Sequence, residues 1–137
     1  MKLLVDTSVW SLALRRRSGT TLQPNQQQLV NELTEAISDG RVVMIGPIRQ
    51  ELLSGIREQA QFERLRQALA AFPDEPMTTA DYEASACSYN LCRTRGLQCG
   101  PVDMLICTVA ARCKWRVLTC DAGMLDCLKI ILESIPE

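Results

Sequence analysis

The chain has 137 residues, 47% of them hydrophobic, with a net charge of −1, so it reads as one domain, residues 1–137, large enough to bury a real core. That charge carries no global sign of nucleic acid, although a basic rim can border an acidic pocket. Histidine is absent, which excludes Ser-His and Cys-His nucleophile pairs and His-containing zinc sites, so any catalysis must use carboxylates, Lys, Tyr, Cys or a metal.

Lys2–Val5 reads as a short buried strand that runs into Asp6, followed by Thr7 and Ser8 as N-cap types and a helix over Val9–Leu14. The Arg15-Arg16-Arg17 triplet suits either a solvated helix end or a phosphate contact. Ser18–Gln28 is a polar loop that could border the site, a second copy or a partner. Asn25 and Gln28 resemble a capping pair for a helix over 26–39, whose apolar stripe is Leu29, Leu33, Ala36 and Ile37, with Gly40 at its end.

Val42–Ile45 is a second buried strand, and Gly46-Pro47 opens a helix. Ile48, Leu52 and Leu53 face inward there, with Glu51 between them. Residues 57–71 form an amphipathic helix through Phe62, Leu65 and Leu69, ended by Pro73 and Pro76. A weak strand is predicted near 75–78, then a helix from Thr79 or Asp81 to about Arg95, closed by Gly96. Gly100-Pro101 opens another helix with Asp103 in its first turn and Val102, Ile106, Val109 and Ala110 buried. Arg116–Thr119 is a strand followed by Asp121, then a short helix near 124–127 and a final strand at 129–132. Strands separated by helices predict an α/β fold with a parallel sheet.

No apolar run approaches the ~20 residues of a membrane span, and Leu3-Leu4-Val5 is too short for a signal peptide, so a cytoplasmic protein is expected. The seven cysteines (87, 92, 99, 107, 113, 120, 127) are odd in number and contain no Cys-x-x-Cys. They read as reduced thiols, several serving as small core residues, and Cys120 is expected to point away from Asp121.

Four acids share a local setting. Asp6 and Asp121 follow buried strands, while Glu51 and Asp103 lie in the first turns of helices after Gly-Pro. Those positions point at the carboxyl edge of a parallel sheet. Clustered carboxylates repel unless a cation compensates, and Mg²⁺ or Mn²⁺ takes all-oxygen ligands. Such an ion also generates hydroxide from bound water, which fits phosphodiester hydrolysis without histidine. The same pattern is open to a plainer account: caps at Asp6, Asp103 and Asp121, and a surface or salt-bridged Glu51.

At these residues the sequence resembles the PIN-domain ribonucleases, specifically the VapC toxins of bacterial toxin–antitoxin pairs. Val5-Asp6-Thr7-Ser8-Val9-Trp10, Glu51-Leu52-Leu53-Ser54-Gly55, Asp103-Met104-Leu105-Ile106 and Leu118-Thr119-Cys120-Asp121 look like the four motifs of the family, in order. The resemblance implies a PIN-like parallel sheet of about five strands with helices on both faces. It implies metal ligation and catalysis by Asp6, Glu51, Asp103 and Asp121, with Thr7 and Thr119 supporting them. It further implies Mg²⁺-dependent endoribonuclease activity, a homodimer, and a VapB-like antitoxin whose tail blocks the site. Relatives often carry another acid and a Phe where this chain has Gly123 and Met124, a departure that bears on a second metal.

Candidates for an RNA-contacting rim are Arg15, Arg16, Arg17, Arg49, Arg93, Arg95 and Lys114. Two other functions compete: a non-catalytic binding module of the same fold, and a housekeeping RNA-processing nuclease. Receiver-type phosphotransfer fits worse, because Asp6 has no adjacent acid.

Overall fold

The computed structural model describes residues 1–15 and 21–135. Its centre is strand β1 (Leu3–Val5), three apolar residues that are all essentially inaccessible to solvent. A strand buried on both faces has no polar side to alternate, which is why the sequence here is a continuous aliphatic run. β1 pairs in parallel with β2 (Val42–Val43), Leu3 opposite Val42, and with β3 (Arg116–Leu118), Leu4 opposite Val117. The strand order is β2-β1-β3, so both neighbours of the N-terminal strand come from later in the chain.

One further parallel bridge joins Met44 to Asp74, reinforced by the Glu75 amide donating to the Met44 carbonyl at 2.8 Å. The strand expected at 75–78 is reduced to this contact. Pro73 and Pro76 bracket it, and neither can donate to a ladder.

Seven helices flank the sheet among the described residues: α1 (Thr7–Leu14), α2 (Pro24–Ser38), α3 (Gly46–Leu53), α4 (Gln59–Leu69), α5 (Thr79–Thr94), α6 (Pro101–Cys113) and α7 (Ala122–Ser134). α2 starts earlier than its periodicity suggests. Its capping box is Gln23 with Gln26, and Pro24 occupies the first turn, so the expected Asn25–Gln28 pair is displaced by two residues. Gly40 follows α2 at φ +68°, and Gly96 follows α5 at φ +76°, both left-handed positions that glycine takes without strain.

The predicted final strand at 129–132 is not formed, because α7 runs unbroken from Ala122 to Ser134. Met124, Cys127 and Ile131 are buried at spacings of three and four, while Lys129 and Leu132 are exposed. That is a helical face, and it outweighs the strand preference of Lys129–Leu132. The sheet therefore has three strands among the described residues instead of about five.

α1 packs on both α2 and α3, and α5 and α7 both pack on α6. Enclosed in this way, α6 buries Met104 and every residue from Ile106 to Ala111. Trp10 is fully buried and meets Phe72 edge-on, with ring centroids 5.2 Å apart. Each fully buried Leu, Ile or Met contributes roughly 1.5–3 kcal/mol by leaving water. Among the described residues no helix is long and apolar enough to cross a membrane.

Candidate active site

The central strand ends on Asp6, whose amide donates to the Leu118 carbonyl at 2.9 Å and extends the pairing with β3 by one rung. Asp6 stands at the N-cap position of α1, yet its side chain makes no cap bond. Its Oδ2 instead accepts from Ser8 Oγ at 2.7 Å and from Thr119 Oγ1 at 2.8 Å. Asp6 is 5% exposed. Both hydroxyls also accept: Ser8 Oγ from the Cys120 amide at 3.1 Å, and Thr119 Oγ1 from the Asp121 amide at 3.0 Å. Two side chains thus lash the exits of β1 and β3 together around one buried acid. Hydrogen bonds to a charged group are each worth about 1.5–3 kcal/mol, enough to hold it in one orientation.

Glu51 lies on α3 with an exposed side chain and accepts from Thr7 Oγ1 at 2.7 Å, a contact from the first turn of α1. Asp103 occupies the first turn of α6 and is half-buried. Burial pushes its carboxyl above the ordinary range, and the charge of Asp6 pushes it further. A backbone contact at Gly100 offsets part of this, while Glu51 and Asp121 add to it. Asp103 therefore feels the field of all three other acids. Asp121 does act as a cap: its Oδ1 accepts from the amides of Gly123 at 2.9 Å and Met124 at 3.4 Å. A Cβ at Gly123 would come within 3.2 Å of that same oxygen, so the residue that departs from the family pattern sits directly against an acid.

No Lys or Arg forms an ion pair with any of the four acids among the described residues. The donors are hard carboxylate oxygens with hydroxyls beside them, the chemistry that Mg²⁺ and Mn²⁺ prefer. As they stand, no three acid or thiol groups among the described residues approach closely enough to enclose an ion. Mg²⁺ keeps several waters and uses only one or two carboxylates directly, so an open set of this kind is compatible with it.

A groove of about 430 Å³ opens beside this edge, lined by Asn25, Gln26, Gln28, Glu32, Thr119 and Cys120 among others. The end of the polar 18–28 stretch thus shares this groove with Thr119 and Cys120. The basic candidates are dispersed. Arg95 and Arg93 are exposed at the end of α5, which leads into α6 and Asp103, and Arg93 lies over the Tyr89 ring, 5.9 Å from its centroid. Arg15 ends α1, and Lys114 caps α6 at the opposite end from Asp103, roughly 16 Å away along the axis. Arg49 is committed internally: Nε donates to Asp74 at 2.9 Å, Nη1 to the Leu69 carbonyl at 3.0 Å, and Nη2 to the Phe72 carbonyl. Arg16 and Arg17 lie outside the described residues.

Ser8 is the participant that sequence reasoning reads only as a helix start. Its signal is the hydroxyl two residues after Asp6, which here reaches back to the acid.

The sequence profile of the PIN domain matches residues 3–127, a span that contains all three strands and all four acids. A comparison with curated proteins gives no match. PIN domains are generally nucleases and typically use a divalent metal. With the profile spanning most of its length, the chain belongs to the PIN domain family.

Proposed function

We propose that this protein is a Mg²⁺-dependent endoribonuclease, the toxin of a toxin–antitoxin pair, with Asp6, Glu51, Asp103 and Asp121 as its metal-holding acids. The observation that carries this reading is Asp6, a buried carboxylate at the end of the central strand, held by two hydroxyls and without a cationic partner among the described residues. Ser8 and Thr119 occupy Oδ2 and leave Oδ1 for a ligand. Thr7 steers Glu51, and the first-turn amides of α7 hold Asp121 by Oδ1, leaving Oδ2 for the site. The charge of Asp103 is opposed by burial and by the neighbouring acids, so it gains from a cation. When bound, Mg²⁺ supplies charge neutralisation at the phosphoryl group and hydroxide near neutral pH. The groove beside Thr119 offers Asn and Gln amides to a sugar or base.

The partners under this reading are an RNA substrate, a VapB-like antitoxin that covers the site, and a second copy of the chain. An apolar groove of about 350 Å³ between α5 and α6, with exposed Tyr82 on its rim, supports the pairing of two copies. The test is to incubate partner-free protein with mixed RNA, with and without Mg²⁺, beside Asp103→Asn. Mg²⁺-dependent cleavage that disappears in the variant supports the reading. Tight RNA or protein binding without cleavage by folded, Mg²⁺-supplied protein replaces it with the binding-module reading.

A further inference from the structure

The seven cysteines are unevenly distributed. Cys92 (α5), Cys99 (the α5–α6 connection), Cys107 (α6) and Cys127 (α7) converge where these three helices meet. Within that group the Cys99 and Cys127 sulfurs stand 2.8 Å apart, closer than unbonded sulfurs ordinarily rest. A disulfide sets its sulfurs ~2.05 Å apart, so closing this one asks for about 0.8 Å of movement. The other two thiols face backbone instead: Cys92 donates to the Cys127 carbonyl at 3.9 Å, and Cys107 to that of Met124 at 3.6 Å. No three of these groups are placed to hold a metal ion among the described residues.

We infer that Cys99 and Cys127 form a reversible disulfide, a redox modification site that bridges the entry of α6 to α7. The bond requires an oxidant, and a low-molecular-weight disulfide such as oxidised glutathione balances the step. Cys99 is half-exposed and Cys127 is buried, so Cys99 is the thiol that reacts first. It loses its proton, its sulfur attacks the small disulfide, and one small thiolate leaves. The Cys127 sulfur then gives up its proton, attacks Cys99, and expels the second small thiolate. Two protein thiols are oxidised and one small disulfide is reduced to two thiols. Burial raises both thiols above their ordinary range, Cys127 to about 11, which keeps them protonated and slows their attack on such an oxidant.

The location gives the bond its consequence. Cys99 precedes the helix turn that presents Asp103, and its sulfur also contacts the Gly123 carbonyl at 3.8 Å, in the turn capped by Asp121. The bridge closes a loop between positions 99 and 127 and ties together the two elements that carry those acids. This holds whether or not RNA is the substrate.

The test treats the full chain with oxidised glutathione, alkylates the remaining thiols and maps the linked peptides. The expected product joins tryptic fragments 96–112 and 117–129, with fragmentation assigning the bond to Cys99 and Cys127. Tm should rise by roughly 5–15 °C on oxidation and fall back with dithiothreitol. Cys99→Ser should abolish both the linked pair and the Tm change. Cys99 and Cys127 both remaining alkylatable after oxidation, or a bond mapping to Cys92, Cys107 or Cys120, would overturn the inference. The wild-type map decides this alone if a variant fails to fold.

Discussion

The Thr119 hydroxyl donates to Asp6 Oδ2 at 2.8 Å across 113 residues of chain, and Thr119 Oγ1 in turn accepts the Asp121 amide. One side chain thereby sets the orientation of one acid and the backbone of another. Thr119→Val keeps the shape and removes the hydroxyl. It leaves a buried carboxylate one donor short and the Asp121 amide without its acceptor. The expected cost is about 1–3 kcal/mol of stability, measured by chemical denaturation. Metal affinity, measured by calorimetry with Mn²⁺, should fall about 10–100-fold, the usual range for residues that orient metal ligands. Unchanged affinity would show that Asp6 is held well enough by Ser8 alone.

Asp103→Asn separates function from stability. The Asp103 carboxyl is raised by burial and by the charges of Asp6, Glu51 and Asp121. A folded-state pKa above the unfolded one gives stability that is present at low pH and lost as pH rises through the raised value. Metal-free protein at pH 7 therefore carries a penalty that the amide removes. Tm of the metal-free variant should rise by roughly 2–6 °C at pH 7, with the gain shrinking as pH falls through the raised value and gone by about pH 4. Cleavage should be lost. A Tm that falls at pH 7 would contradict this account.

Arg49 and the exposed arginines of α5 make opposite predictions. Arg49→Ala strands the Phe72 carbonyl, takes one of two donors from the Leu69 carbonyl and breaks the pair with Asp74, so it should cost about 1–3 kcal/mol in a melting experiment. It should leave the salt dependence of RNA binding unchanged. Arg95→Ala should do the reverse: little change in Tm, with a salt slope of RNA binding shallower by about 0.7–0.9 if it contacts one phosphate.

Asp81 is a buried acid outside the site. Burial raises its carboxyl, but hydrogen bonds from the Thr78 amide and Arg112 and the Arg112 charge outweigh that and hold it below the ordinary value. Its stabilisation is complete above the ordinary carboxylate pKa and is lost as pH falls through the lowered one. Asp81→Asn should therefore lower Tm at pH 7 by roughly 3–9 °C, through a weakened capping box and the lost Arg112 pair. The gap to wild type should close below about pH 4.

What was legible in the chain was local. Leu3–Val5 followed by Asp6 reads as a strand end because aliphatic continuity and an abrupt acid are both visible within five residues. The same is true of Gly46-Pro47 and Gly100-Pro101 as helix starts ahead of Glu51 and Asp103. Lys129–Leu132 reads as a strand because β-branched residues suggest one, whereas the helix is set by what Met124, Cys127 and Ile131 bury against. Arg49 could not be read at all. Its acceptors are Asp74 and two backbone carbonyls, 20 to 25 residues away, and no sequence pattern marks a carbonyl as an acceptor.

The position of β1 has a consequence for synthesis. Of the three described strands, the first to leave the ribosome is the middle one of the sheet, and its partner β3 begins only at Arg116. At translation rates of about 5–20 residues per second, Leu3–Val5 waits roughly 5–25 seconds for that neighbour. Through that interval a bare aliphatic segment must be shielded by β2, by collapse or by a chaperone. A nascent chain stopped before Arg116 has its central strand paired on one side only and should be recovered as a chaperone-bound or protease-sensitive species.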